Sequence, residues 1–501
     1  MRILICACDA PLRPLTNGYG QWLTGILGEL SRHHDVRLVG YRMAAQDGPP
    51  SVEADLRIVP YEKPRVAGNA ADLAKAMAFR RPLRAARMAD GLREPLREEL
   101  RRFRPDVVQV GTGKLSGLLG ELGGRPAVLH VQDTWHVNVE ARAEASTGLR
   151  RTLLEADARR IERFEARRYR GWDRVVACNQ DDMRTLLALD PTLPLTFIPI
   201  GVNAAAFAPD PTAVRDPSRI VFHGNMSYAP NAACAEFLAR DVLPLVRAVR
   251  PDAHLAIVGR DPTPAVRALD ALENVRVVGG VDDIRSWITG SRVWAGPFRS
   301  GTGMKTKVLE AMATDTPAVV TPIGGRGIDL RAGALLVGST PAELAAHIRA
   351  VLDDDELATR LGRAGGELVR ERNAWPAVGR AFERLYEDVI AERRALAATG
   401  RRRHGRDRRH AVRRPRTRVP AGGRRAPRRC RRGRRRRAGP RARGRGRRGL
   451  GPPRRGARPG TAPGGRPRAR AAATARGPAA GPAGHRGAPS ARASADRRRA
   501  R

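Results

Sequence analysis

The stretch RSGTGMKTKVLEAMA, residues 299–313, sets two glycines, two lysines and one carboxylate around the start of an apolar-periodic run. RVWAGP just before it has the content of a buried strand, and apolar residues at 308, 309 and 312 form a helical stripe. FRSGTGM is therefore a turn from strand end to helix start. Gly301 and Gly303 can take positive φ and let a ligand approach the backbone, while first-turn amides and the helix dipole favour an anion there. Lys305 falls in that first turn, where the dipole alone disfavours a cation and an anionic ligand would neutralise it. Lys307 reads as a solvated surface charge. Glu310 reads either as an acceptor for ligand hydroxyls or as a surface carboxylate paired with a neighbour. The GxxxxGK[ST] spacing of a nucleotide-triphosphatase loop is absent. On residue chemistry alone, an anion cradle and an ordinary glycine turn before a helix fit this stretch equally.

The elements that must position these residues come in two series. Strand-like runs RILICAC, VRLVGY, LRIVP, DVVQVG, AVLHVQ, RVVACN and LTFIPIG occupy 2–201, separated by helix-like stretches such as QWLTGILGELSRH. After a segment rich in Pro, Ala and Asp, RIVFHGN, HLAIVG, VRVVG, RVWAGP, PAVVTP and ALLVG repeat the alternation. Continuous Val/Ile/Leu runs alternating with helices predict parallel sheets buried on both faces. The expected fold is α/β, with two doubly wound Rossmann-like domains facing across a cleft, where ligands sit beyond the C-terminal strand ends. The expected boundaries are 1–201 for the first domain, 202–218 for a linker, 219–375 for the second domain and 376–398 for a closing helix.

Composition changes sharply near residue 400. Of the 501 residues, those from 401 on contain 38 arginines, no lysine, two acids, one leucine and no aromatic residue, a balance of +36 against +6 for the rest. Such a segment buries too little apolar surface to offset chain entropy, so 399–501 is expected to be a disordered tail. Phosphate neutralisation would let it bind nucleic acid non-specifically, but the aromatic rings used for base stacking are missing. The same composition fits GC-rich DNA read out of frame. GRGRRG within it lacks the strand and helix that a dinucleotide fingerprint needs. Five cysteines without CxxC spacing or histidine clusters predict reduced thiols and no metal site. MRILICACDA is too short an apolar run for a signal peptide, and no run reaches a membrane span, so a cytoplasmic protein is expected.

SGTGMKTKVLEAMATDTPAVVTPIGGRGID is similar to the donor-binding block of the retaining, nucleotide-sugar-dependent glycosyltransferases of family 4, which have the GT-B fold. NGYGQWLTGILGELSRHHDVRLV resembles that family's first glycine loop, helix and strand, and FIPIGVNAAAFAP resembles its hinge. ERNAWPAVGRAFERLYEDVI resembles the closing helix that crosses back onto the N-terminal domain. The matches run over about residues 1–395 and leave out the tail.

The resemblance implies transfer of a sugar from a nucleoside diphosphate to an acceptor hydroxyl with retained anomeric configuration, without a cofactor or metal. It puts Gly18 and Gly20 in the loop facing the diphosphate, the backbone of Val278 and Gly279 at the base, and Gly301, Thr302, Gly303 and Met304 at the diphosphate and sugar. Glu310 would bind the ribose hydroxyls. Two departures stand out. Thr302 replaces the first glutamate of the family's Glu-x7-Glu pattern, and HGNMSYAPNAACAEF lacks the usual Arg and Lys after its strand. Lys305 and Arg299 are the expected substitutes. On the acceptor side, HVQDTWHVN offers Asp133 to receive the acceptor proton, with His130 and His136 behind it and Trp135 either stacking on a sugar or packing. The implied partners are a nucleotide sugar and a saccharide or lipid-linked acceptor, with peripheral membrane contact in the latter case. Synthesis of a cell-surface polysaccharide or glycolipid is the expected setting. The competing readings are an inactive or epimerase-type GT-B protein and a nucleic-acid binder acting through the tail.

Overall fold

The computed structural model describes residues 1–398 apart from 14, 16–17, 44–45, 47, 61–81 and 302. Thr302 and the whole 399–501 tail, with GRGRRG and Cys430, thus lie outside the described residues. Seven strands form the first sheet: β1 Arg2–Ala7, β2 Asp35–Arg42, β3 Asp55–Pro60, β4 Val107–Gly111, β5 Ala127–Val131, β6 Arg174–Ala177 and β7 Leu195–Phe197. Six form the second: β8 Asp216–His223, β9 His254–Val258, β10 Val275–Gly279, β11 Ser291–Gly296, β12 Ala318–Val320 and β13 Leu336–Val337. All the strand-like runs of the sequence are strands.

The first sheet has the order β3-β2-β1-β4-β5-β6-β7, the second β10-β9-β8-β11-β12-β13, and every pairing is parallel. Both sheets reverse their winding once, between β1 and β4 and between β8 and β11. That reversal is the place where crevices form in open α/β sheets. β4 and β5 are buried at every residue, as strands covered by helices on both faces must be.

Each face of the first sheet has its own apolar cluster, and the second sheet lies in a single large one. The cluster on one face of the first sheet takes in Val378, Phe382, Leu385, Tyr386, Val389 and Ile390 of the Trp375–Ala398 helix. The last helix therefore packs on the lobe built from the first half of the chain. Tyr386 donates to Gln109 Oε1 at 2.7 Å, and Arg393 reaches Asp173 at 2.7 Å. The two passages of the chain between the lobes run side by side: Val202 N donates to Asn373 O at 2.8 Å and Asn373 Nδ2 to Ile200 O at 2.9 Å.

Two expected boundaries shift. The seventh strand ends at Phe197 instead of running to 201, because Pro199 has no N–H for the ladder and the chain turns there into the crossing. Gly18 and Gly20 lie in the first turn of the Gly18–Leu30 helix and not in a preceding loop. Among the described residues no helix is long and apolar enough to cross a membrane.

Candidate active site

The glycine turn after β11 opens toward the first lobe. Gly301 and Gly303 have φ of 102° and 74°, the left-handed region that a side chain disfavours. A methyl group on Gly303 would lie 2.6 Å from Asp133 Oδ1, so the carboxylate at the end of β5 touches the turn across the gap. The helix begins at Thr306, one residue later than the sequence suggested. Lys305 is its N-cap residue with extended backbone, not part of the first turn. From there the side chain folds back over the turn: Nζ donates to Gly303 O at 3.1 Å and lies 5.9 Å from the Phe298 ring centre.

Charge and burial set the character of this mouth. Burial lowers the Lys305 ammonium to about 8; Arg326 and Lys307 add repulsion and Asp133 opposes them. Burial also raises the Asp133 carboxyl above its usual range, helped by Asp182, while Asn138, Lys305 and Lys114 pull it down. A cation and an acid whose pKa values move toward each other across a gap form a candidate proton-handling and anion-binding pair. Arg326 comes from the second glycine turn, whose residues 325–330 face Gln180, Asp181 and Arg184 of the first lobe around a cavity of about 410 Å³.

Glu310 occupies the other end of the site. Its Oε2 is 2.8 Å from Nε2 of the buried His223 at the end of β8, and His223 Nδ1 accepts from Trp294 Nε1 at 2.9 Å. Burial works to raise the Glu310 carboxyl, but its bond with His223 and the nearby Lys307 bring the balance below the usual carboxylate range. Glu310 lines a cavity of about 180 Å³ with Gly18, Gln21, Asn203, Thr306 and Trp375, so residues of both lobes meet there. At this size the cavity is smaller than the usual ligand pocket of about 300–1,000 Å³.

The other expected site residues fall into three groups. Met304 and Asn179 both lie against Gly327, and Gly20 is buried in the first helix. Val278 and Gly279 end β10, with Gly279 O accepting from Gly259 N at 2.7 Å. Arg299 is exposed, with its guanidinium stacked 4.9 Å above the Phe237 ring.

Lys307 corrects its surface reading. Its side chain lies against Gly224, within reach of Glu310 and Cys234, and burial lowers its pKa. The aromatic and histidine candidates of HVQDTWHVN are also core residues. Trp135 meets Phe164 edge-on in a small cluster with Val139, Ala158 and Ile161. His136 Nδ1 is 2.6 Å from the buried Glu165, and His130 stacks on Trp22 at 4.0 Å. Reading the sequence also missed His223, Trp294 and Arg326. The one polar residue ending the apolar run RIVFH was the available signal for His223.

A pair of doubly wound lobes joined by adjacent crossings, with a cationic glycine turn and half-buried carboxylates at their gap, defines a two-lobed group-transfer architecture of the GT-B type. Residues 17–201 match the family profile described as a glycosyl transferase 4-like domain, and residues 217–354 match that of glycosyl transferases group 1. The chain belongs to the group 1 glycosyltransferases of the GT-B fold, as the motif resemblance implied. It is 28% identical over 244 residues to glycogen synthase of Mycobacterium tuberculosis, a match covering 46% of this chain. That alignment spans only 57% of the relative's length.

Solved structures with a similar fold include sucrose-phosphate synthase from Thermosynechococcus elongatus (16% identity, 78% of this chain and 100% of that one, TM-score 0.57). Another is a glycosyltransferase from Rickettsia africae (12%, 78% and 98%, TM-score 0.54). A third is HepE of Anabaena in complex with UDP and glucose (12%, 77% and 99%, TM-score 0.51).

Proposed function

We propose that this chain moves a sugar from a nucleoside diphosphate sugar to an acceptor hydroxyl with retention of anomeric configuration, in the cytoplasm or against a membrane surface. Synthesis of a cell-surface polysaccharide or glycolipid is the setting we favour. The observation that carries the proposal is the pairing of Lys305 and Gly303 with Asp133 across the gap, with Glu310 beside it in the interlobe cavity. The complex of HepE with UDP and glucose supports a nucleotide donor by analogy of fold.

In this mechanism the turn amides around Gly301 and Gly303 and the Lys305 ammonium hold the leaving diphosphate. Negative charge grows there as the glycosidic bond breaks, so these groups bind the transition state more tightly than the ground state. Arg326 adds a second cation to the one supplied by Lys305. Glu310, kept ionised, accepts from the ribose hydroxyls, and the ends of β10 at Val278 and Gly279 receive the base. Asp133, with its raised pKa, takes the acceptor proton. Thr302 is assigned to the sugar, and Arg299, exposed and stacked on Phe237, is assigned as a further cation for the diphosphate.

The test is a thermal-shift screen of the full chain against UDP-, GDP- and ADP-sugars, followed by incubation of the stabilising donor with saccharide and lipid-linked acceptors. A ligand that binds only the folded state raises Tm. Proton NMR of the product then reads the anomeric configuration. Absence of any Tm rise across the panel, or an inverted linkage, overturns the proposal.

A further inference from the structure

We infer that His223 and Trp294 are positioning residues that aim Glu310 at the donor. An indole nitrogen only donates, so the 2.9 Å contact from Trp294 Nε1 places a lone pair on His223 Nδ1. The ring proton then sits on Nε2, which faces Glu310 Oε2 at 2.8 Å and donates to it. Trp294, His223 and Glu310 thus form a one-way chain of donors ending on a carboxylate. Its members come from β11, β8 and the Thr306–Ala313 helix, the elements around the reversal point of the second sheet.

Burial makes the chain directional. Trp294 is fully buried and His223 is 4% exposed, so neither has water as an alternative partner. Glu310 keeps more exposure, 23% of its side chain, and lines the interlobe cavity. With Oε2 held by His223, the other oxygen is left to the cavity. Among the described residues no other protein group hydrogen-bonds that oxygen. Lys307 is a nearby cation that also acts on the carboxylate. His223 therefore fixes which oxygen faces the ligand.

The inference rests on Glu310 being the acceptor for ribose hydroxyls. Its test separates the two by measuring discrimination between ribose and its dideoxy form. UDP, GDP and ADP are each titrated calorimetrically into the full chain, and the tightest binder is compared with its 2′,3′-dideoxy counterpart. The variants are Glu310→Gln, His223→Leu, His223→Gln and Trp294→Phe.

A hydrogen bond to a charged group is strong enough that the wild type should prefer the ribonucleotide by roughly tenfold to hundredfold. His223→Leu should lower that preference about tenfold while changing dideoxy affinity less than about twofold. His223→Gln, which restores a donor near the Nε2 position, should recover most of it. Trp294→Phe should lower it about threefold, because the imidazole is then free to turn or change tautomer.

If Glu310→Gln lowers the preference and His223→Leu leaves it unchanged, the positioning role is overturned and the donor assignment stands. If Glu310→Gln leaves it unchanged, or none of the three nucleotides binds, the assignment of Glu310 itself falls, and the positioning role with it. Should His223→Leu not fold, Trp294→Phe decides: a fall supports the inference, and an unchanged preference overturns it.

Discussion

Two histidines at the ends of buried strands show how differently the two lobes treat polar groups. His130 is the penultimate residue of β5 in the first sheet, and His223 is the last residue of β8 in the second. Among the described residues His130 has no hydrogen-bond partner on either ring nitrogen; it is stacked on Trp22 with Phe382 at its edge, and burial alone drops its pKa to about 3. His223 has both nitrogens engaged, one by Trp294 and one by Glu310. The first behaves as an aromatic filler in the core under the crossing helix. The second is part of a polar chain that reaches the cavity. In the first lobe, Asp133 is the polar residue that reaches the gap from a strand end. The second lobe brings Lys305, Lys307 and Glu310 on one turn and helix.

The largest effect expected from this asymmetry is on the cation at the turn. Lys305→Ala should lower kcat/KM about 10²–10³-fold, the usual loss when one preorganised group at a developing charge is removed. Steady-state assays with the donor found in the thermal-shift screen measure it. A loss below about threefold would place the diphosphate elsewhere.

The second concerns His130. Between pH 6.5 and about 3 the unfolded chain binds a proton there that the folded chain refuses, so stability falls as pH drops through that window. At pH 4.5 the deficit should be about 2–3 kcal/mol relative to neutral pH. His130→Leu should remove this component of the acid slope and leave turnover at pH 7.5 unchanged. Denaturant melts at pH 7.5 and 4.5 check it. An unchanged slope would mean that His130 finds a proton acceptor.

How much of this was legible in sequence follows the same division. The thirteen strands were readable because short Val, Ile and Leu runs bounded by turn residues alternate with longer amphipathic stretches, so that length and flanks decide where period does not. The glycine turn was readable from its residues, and the family resemblance supplied the role expected of Glu310. What could not be read were contacts made across the sheet. Nothing local in RIVFH says that its histidine meets an indole 71 residues on and a carboxylate 87 residues on. Lys307 looked solvated because a helix stripe predicts only which face is apolar, not that the loop after β8 covers the polar side. For Trp135 the sequence left stacking on a sugar and packing both open, and it placed His136 behind Asp133 without deciding between a site and a structural role. The helix that starts at Trp135 turns them onto the 148–169 helix.

The third effect is on pH. Donor binding should need the Lys305 proton, so affinity should fall about tenfold for each pH unit above about 8. Folding stability should move the opposite way. Between about 8 and the ordinary 10.5 the unfolded chain holds this proton more tightly than the folded one, so stability rises with pH. Calorimetric titrations and melts from pH 7 to 10 test both signs, and Lys305→Arg should flatten the affinity profile. Affinity that stays level through pH 9 in the wild type would remove Lys305 from the diphosphate site.

The smallest effect is the most local, and it probes the gap itself. A methyl group on Gly303 would meet Asp133 Oδ1 at 2.6 Å, and the residue's φ of 74° adds its own strain. The backbone part should cost about 1–2 kcal/mol and is independent of the first lobe. The steric part exists only while the Asp133 carboxylate is present. Gly303→Ala, Asp133→Ala and the double variant therefore form a cycle in which truncating Asp133 relieves part of the Gly303→Ala penalty, by about 1 kcal/mol. Equilibrium denaturation of the four proteins measures it. If the two penalties add within about 0.5 kcal/mol, the lobes do not touch at this point in solution. Asp133 would then have to travel to meet an acceptor, and its role in proton transfer would depend on closure, not on a preformed contact.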